Sequence, residues 1–158
     1  MRKILHAFKY DRRRSLARPL GRMIREASGN LLADADCAVP VPLHPWRRIR
    51  RGFNQASDLA RQLDVPVVQA LWRVRPTTPQ AGLVAAARRR NMRDAFRLSP
   101  LLSRATSVRM LENRVVLIVD DVRTTGATLE ACARVLKHAG AREVRAVTAA
   151  IAHPPGRS

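Results

Sequence analysis

Two adjacent carboxylates, Asp120 and Asp121, follow the apolar run Val115-Val116-Leu117-Ile118-Val119 and precede Val122-Arg123-Thr124-Thr125-Gly126-Ala127-Thr128. Ionised carboxylates only accept hydrogen bonds, so a side-by-side pair suits a diol, whose hydroxyls donate. The stretch after them has the opposite character. Small hydroxyl residues and a glycine lead into what reads as a helix, and they offer O–H and N–H donors for a phosphate monoester. Together the two halves fit a ribose phosphate, with the sugar hydroxyls on Asp120 and Asp121 and the phosphate on Thr124, Thr125, Gly126, Ala127 and Thr128. The common nucleotide loops G-x-x-x-x-G-K-[ST] and G-x-G-x-x-G are absent. A pair that merely capped the following helix would set like charges beside a buried strand with nothing to offset their repulsion.

Such a site needs a strand that ends at the carboxylates and a helix that starts at the threonines. Val115 to Val119 is apolar without alternation, the pattern of a strand buried on both faces of a parallel sheet. A helix is predicted from Ala127 to His138 with Gly140 as its C-cap, and a further strand from Glu143 to Ile151. Strand, helix, strand in that order argues for an α/β fold. Upstream, Cys37 to Leu43 reads as a short strand running into a proline-stiffened loop, and Gln55 to Leu63 as a helix. Leu20, Met23, Ile24 and Ala27 mark an earlier helix that starts at Pro19, where proline fits the first turn, and is ended by Ser28-Gly29-Asn30. Ala95 to Leu98 is a predicted strand, and Ser99 to Asn113 a polar connection of undefined form. Between Val74 and Asn91 the chain is rich in turn formers, a long loop of the kind that is usually functional.

A chain of 158 residues, 46% of them hydrophobic, is expected to form one domain spanning 1–158, with 1–30 as a basic helical N-terminal segment; a disordered basic tail is excluded. Cys37 and Cys132 cannot build a disulfide framework or a four-thiolate zinc site, which implies a reducing compartment. The apolar stretch after Met1-Arg2-Lys3 is too short for a signal peptide, and no run approaches a membrane span, so the expected location is cytoplasmic. Lys and Arg number 30 against 12 Asp and Glu, a net charge of +18, and only Lys3, Lys9 and Lys137 are lysine. Such an excess attracts nucleic acid, a membrane surface or a small polyphosphate, and charge alone does not choose among them.

Val116 to Thr128 resembles the phosphoribosyl-pyrophosphate (PRPP) motif of type I phosphoribosyltransferases, departing from it at Arg123, where the motif prefers an aliphatic residue. Four further segments resemble the ComF/GntX branch of that superfamily in the same order: Val39 to His44, Arg51-Gly52-Phe53-Asn54-Gln55, Thr78 to Leu83, and Arg88 through Asn91 to Phe96. Members of the branch commonly begin with a four-cysteine zinc module, which this chain's two cysteines do not supply. The resemblance implies the type I fold, a mostly parallel twisted sheet flanked by helices. It also implies displacement of pyrophosphate from PRPP by a nitrogen acceptor, with magnesium carried on the pyrophosphate and no metal site made by the protein alone. Asp120 and Asp121 become the catalytic pair, Asp121 assisting charge at the ribose. The turn from Pro40 to His44 corresponds to the pyrophosphate loop, where a strained or cis backbone turns N–H groups inward, with Val41, Pro42, Leu43 and the following Arg51 as its contacts. Gln80, Arg88 and Asn91 become contacts from a flexible loop. His44 lies near the pyrophosphate loop, but a lone histidine is more often structural; His6, His138 and His153 have no partner pattern, Cys132 reads as a buried apolar residue, and Trp46 with Trp72 are too few for a stacking platform.

ComF-like proteins are associated with DNA uptake in natural transformation, and the GntX name with sugar metabolism. A second reading therefore stands beside the enzyme: a non-catalytic protein that keeps the PRPP fold and binds single-stranded DNA or the competence machinery. The arginines at 12, 13, 14, 18, 22 and 25 are candidates for that role.

Overall fold

The computed structural model describes residues 16–43, 53–74 and 94–152. In chain order the elements are α1 (Ala17–Ser28), α2 (Asn30–Ala33), β1 (Cys37–Pro40), α3 (Gln55–Ala60), β2 (Leu71–Arg73), β3 (Phe96–Leu98), α4 (Arg104–Leu111), β4 (Val115–Arg123), α5 (Ala127–His138) and β5 (Glu143–Ile151). The apolar run Val115 to Val119 forms the core of the middle strand of a parallel sheet ordered β1-β4-β5. Cys37 to Pro40 pair with Val116 to Val119, and β5 runs along β4 from Glu143 opposite Val115 to Ile151 opposite Arg123. Outside β1 the sheet continues briefly, since Ala38 donates to the Pro66 carbonyl (2.8 Å) and accepts from the Val68 N–H (2.9 Å). β2 and β3 make a separate antiparallel ribbon. The expected α/β class with a mostly parallel sheet is the observed one.

Residues 115 to 119 are fully buried because both faces of β4 are covered, and alternation sends successive side chains into different cores. Val116 and Ile118 pack with Phe96, Leu111 and the inner face of α5, Ala127, Ala131, Cys132 and Leu136. Leu117 and Val119 pack with Ala17, Leu20 and Ile24 of α1 and with Leu59, Ala60 and Leu63. Truncating a fully buried Leu or Ile in such a layer to Ala costs about 2–5 kcal/mol. α1 approaches the turn after α3 so closely that a Cβ at Gly21 would collide with the Gln62 side chain. Arg25 then ties the two together, donating to the Gln62 carbonyl and, at 2.9 Å, to Asp64.

Three boundaries differ from those predicted. α1 begins at Ala17, two residues before Pro19, which sits in the first turn, where a missing N–H breaks no helical bond. α3 ends at Ala60 and the chain continues in turns to Leu63, which is still buried. β4 does not stop at the carboxylates. It runs on to Arg123 because β5 keeps pairing with it, Asp120 opposite Thr148 and Val122 opposite Ala150. α5 and β5 span the predicted residues, and α5 closes as predicted at glycine. Gly140, at φ +96°, donates to the Lys137 carbonyl and lets Ala141 donate back to Leu136. No helix among the described residues is long and apolar enough to cross a membrane.

Candidate functional site

The sheet narrows where the acids begin. β1 stops pairing with β4 at Pro40 opposite Val119, whereas β5 accompanies β4 for four residues more. From the carboxyl end of β1 the chain reaches α3, whose Leu59 and Ala60 lie in the core with α1. From the carboxyl end of β4 it enters α5 on the opposite face. Neighbouring parallel strands whose connections leave to opposite faces open a crevice at their carboxyl ends, the place where α/β sheets bind ligands.

Asp120 and Asp121 are half-buried at this crevice. The Asp121 N–H donates to Asp120 Oδ1 at 2.8 Å. By alternation Asp120 lies on the α5 face and Asp121 on the α1 face. The thiol of Cys132, on α5, reports the first placement. Burial pushes its pKa up, the Asp120 carboxylate adds to the rise, and the Arg73 guanidinium opposes it. Cys132 is fully buried in the core, as the sequence predicts.

After Arg123 the chain turns through Thr124 and Thr125, both exposed, to Gly126 at φ +80° and ψ −8°, a left-handed conformation that glycine adopts without strain. Gly126 has no side chain to cap α5. The Thr125 hydroxyl accepts from the Ala127 N–H at only 3.5 Å, and the first full helical bond is Glu130 N–H to the Gly126 carbonyl at 2.9 Å. The amides of Thr128 and Leu129 therefore have no acceptor within the helix. Ala127 is buried and offers backbone alone, while Thr128 is half-buried. Exposed hydroxyls and unclaimed first-turn amides thus stand next to the acid pair.

The turn after β1 stands against β4. The Val41 N–H donates to the Val119 carbonyl (2.9 Å), one residue before Asp120, and the Val41 carbonyl accepts from Asn54 Nδ2 (3.1 Å). Pro42 has no N–H, so of Val41, Pro42 and Leu43 only Leu43 has a donor that the sheet does not use. Among the described residues no peptide bond is cis, and positive φ outside glycine occurs only at Asp64 and Asn113. Strain or cis geometry is therefore not found in Val41 to Leu43. His44, Arg51, Gln80, Arg88 and Asn91 lie outside the described residues.

Two contributors were not among the predicted site residues. Arg73, the last residue of β2, lies over the Phe96 ring at 5.4 Å and brings a cation to the Asp120 side of the sheet. Asn54 has the weaker sequence hint of standing before a helix start, where Asn is a preferred cap. An open depression of about 400 Å³ lined by Arg109, Glu112, Asn113 and Arg114 lies at the amino end of β4, away from the carboxylates, and there Arg114 is held by Asp36 at 2.8 Å. Among the described residues no group of three or more His, Cys, Asp or Glu could hold a metal. On α1, Arg22 pairs with Glu26 and Arg25 with Asp64, so two of the arginines proposed for DNA are engaged within the fold.

Residues 49–157 match the model of the phosphoribosyl transferase domain. The chain is similar to Competence protein F of Haemophilus influenzae, 36% identical over 152 residues that cover 90% of this chain and 64% of that protein. It is also similar to DNA utilization protein YhgH of Escherichia coli K12, 34% identical over 154 residues, or 90% of this chain and 63% of that one. It thus spans less than two thirds of the length of these curated relatives. Among solved structures it resembles an allosteric regulatory enzyme of purine biosynthesis, with a TM-score of 0.52 and 21% identity, over 84% of this chain and 25% of that one. That likeness supports the type I phosphoribosyltransferase fold.

Proposed function

The chain belongs to the phosphoribosyl transferase domain family, and on that premise we propose that it binds PRPP with magnesium and transfers the phosphoribosyl group to a nitrogen acceptor in the cytoplasm. The observation that carries this reading is the sequence of groups at the crevice: half-buried Asp120 and Asp121, then a turn through exposed Thr124 and Thr125 to half-buried Gly126 that opens onto α5. In this reading residues 1–158 act as one domain, with 1–30 as a basic extension. Asp120 and Asp121 accept hydrogen bonds from the ribose hydroxyls. Thr124, Thr125, Thr128 and the backbone of Gly126 and Ala127 hold the 5-phosphate. Val41 to Leu43 and Arg51 face the pyrophosphate, with Gln80, Arg88 and Asn91 as contacts from the 75–93 segment.

Magnesium suits this donor set. It needs only one or two carboxylates when phosphate oxygens and water complete its shell, and Asp120 and Asp121 provide hard oxygen donors. Bound on the pyrophosphate, it would neutralise charge on the leaving group. The remaining work falls to position and electrostatics. The acceptor nitrogen forms a bond to the anomeric carbon as the bond from that carbon to pyrophosphate breaks; the nitrogen then releases its proton. Asp121 stabilises positive charge that develops at the ribose.

The second reading, a PRPP-fold protein that binds single-stranded DNA in transformation, draws on one specific observation. Arg12, Arg13, Arg14, Arg18, Arg22 and Arg25 form a basic run far in sequence from the Asp120–Thr128 segment. Calorimetric titration with PRPP and magnesium, followed by a screen of nitrogen acceptors for pyrophosphate release, tests the enzyme. The DNA reading instead predicts affinity for single strands that falls steeply with salt. Saturable PRPP binding with pyrophosphate release supports the first, and salt-sensitive DNA retention without PRPP binding supports the second.

A further inference from the structure

Asn54 makes hydrogen bonds to two different elements. Its Oδ1 accepts from the Ala56 N–H at 3.2 Å, which caps α3, and its Nδ2 donates to the Val41 carbonyl at 3.1 Å. Val41 in turn donates to the carbonyl of Val119, and Asp120 follows in the chain. Two hydrogen bonds therefore lead from the start of α3 to the residue before the acid pair. The α3 end of this link is firmly seated: Phe53, Ala56, Leu59 and Ala60 are all buried. The other end is a turn whose proline cannot donate and whose pairing with β4 has just ended.

Capping alone does not require asparagine at position 54, since serine and aspartate cap about as well. What asparagine adds is a donor and an acceptor in one planar amide. We propose that Asn54 is a positioning residue, which fixes the Val41–Leu43 turn relative to α3 and β4 so that the turn faces a pyrophosphate group. The inference rests on the PRPP reading and adds to it: Asn54 touches no substrate and acts through the Val41 carbonyl.

Asn54→Ser keeps a cap but loses the donor to Val41, whereas Asn54→Ala loses both. The full chain and both variants are titrated calorimetrically with magnesium pyrophosphate and, separately, with ribose 5-phosphate, and their melting temperatures are measured. The expected result for Asn54→Ser is a melting temperature lowered by about 1–6 °C, the cost of the one lost hydrogen bond with the cap retained. Pyrophosphate affinity should fall by about two- to thirteenfold, the range for one lost hydrogen bond, with ribose 5-phosphate affinity unchanged. Asn54→Ala should lose a similar factor for pyrophosphate and melt lower. Unaltered pyrophosphate affinity in Asn54→Ser, or an equal loss for both ligands, overturns the assignment. If the unsubstituted protein binds neither ligand, the PRPP reading fails and the positioning role falls with it. Amide hydrogen exchange then still tests the clamp itself. Faster exchange at Val41 in Asn54→Ser, with α3 unchanged, supports it, and unchanged exchange at Val41 overturns it.

Discussion

Replacing Gly126 isolates the backbone requirement of the proposed phosphate turn. Its φ of +80° lies in the left-handed region, and a Cβ built there meets no heavy atom within 4 Å. Any cost of Gly126→Ala is therefore conformational and not steric. An L-residue in that region costs about 1–2 kcal/mol. Restricting the unfolded chain offsets about 0.4–1 kcal/mol of this, leaving a net loss of roughly 1 kcal/mol. For a domain of this size, about 1 kcal/mol lowers the melting temperature by about 2–4 °C. Gly126→Asn should recover part of the loss, because Asn tolerates the left-handed region, and Gly126→Val should lose most. Urea unfolding of the three variants, with an unchanged m-value, gives the ranking. PRPP titration should show a larger relative loss for Ala and Val than for Asn, because the amides of the first turn of α5 are aimed by this residue. If Gly126→Ala is as stable as the parent, or if Asn, Ala and Val are equally destabilised, the left-handed requirement is refuted.

Further expectations concern buried and paired groups. Burial pushes the Cys37 thiol up to about 11, and it also raises that of Cys132. Neither should react with a thiol reagent at pH 8 in the folded protein, and both should react on unfolding; rapid native labelling of either contradicts the core placement. Asp36 lies below the ordinary carboxylate range because the Val115 N–H, and then Arg114, favour its charged form. The stability it contributes is full above the unfolded value of about 4 and is lost as pH falls through the lowered native value. The advantage over Asp36→Asn should shrink only on the acid side, and a gap constant from pH 7 to 2 would show that this linkage is absent. Gln55 is 1% exposed, and its buried Nε2 has no hydrogen-bond partner among the described residues. Removing an unsatisfied buried donor in favour of an apolar side chain of similar size is neutral or stabilising by about 1 kcal/mol. Gln55→Leu should therefore melt no lower than the parent, and a clear drop in thermal denaturation would mean that the amide has a role in holding the fold.

Elements with strong local patterns were legible in the sequence. α5 has an apolar stripe with Gly140 behind it, and the core of β4 is apolar throughout and β-branched at all but Leu117, so both appear where predicted. The extension of β4 to Arg123 was not legible, because Asp120 and Asp121 break the apolar run and only pairing with β5 keeps the strand extended. β2 is three residues long, and its partner β3 is distant in sequence, so tertiary pairing and not local preference makes it a strand. α4 lacks a clear apolar stripe, and the sequence accordingly read Ser99 to Asn113 as an undefined connection. In the crevice, Asp120 to Thr128 could be found because their chemistry is contiguous. Arg73 and the Asn54 link could not, because their roles depend on the packing of β2 on β3 and of α3 beside β1.

The charge excess separates along the same line. The sequence segments Arg12–Arg14, Arg47–Arg51 and Arg88–Arg93 contain no acid, whereas Arg22, Arg25, Arg61, Arg114 and Arg145 are each paired with acids. A polyanion, whether PRPP or a nucleic acid, would owe much of its attraction to those segments. The most direct measurement is calorimetric titration of PRPP and magnesium into the protein and into the double variant Asp120→Asn with Asp121→Asn. Saturable binding that is abolished or greatly weakened in a double variant with an unchanged melting temperature is the predicted result. Equal affinity in the two proteins, or no binding to either, contradicts the assignment of the crevice at the end of β4.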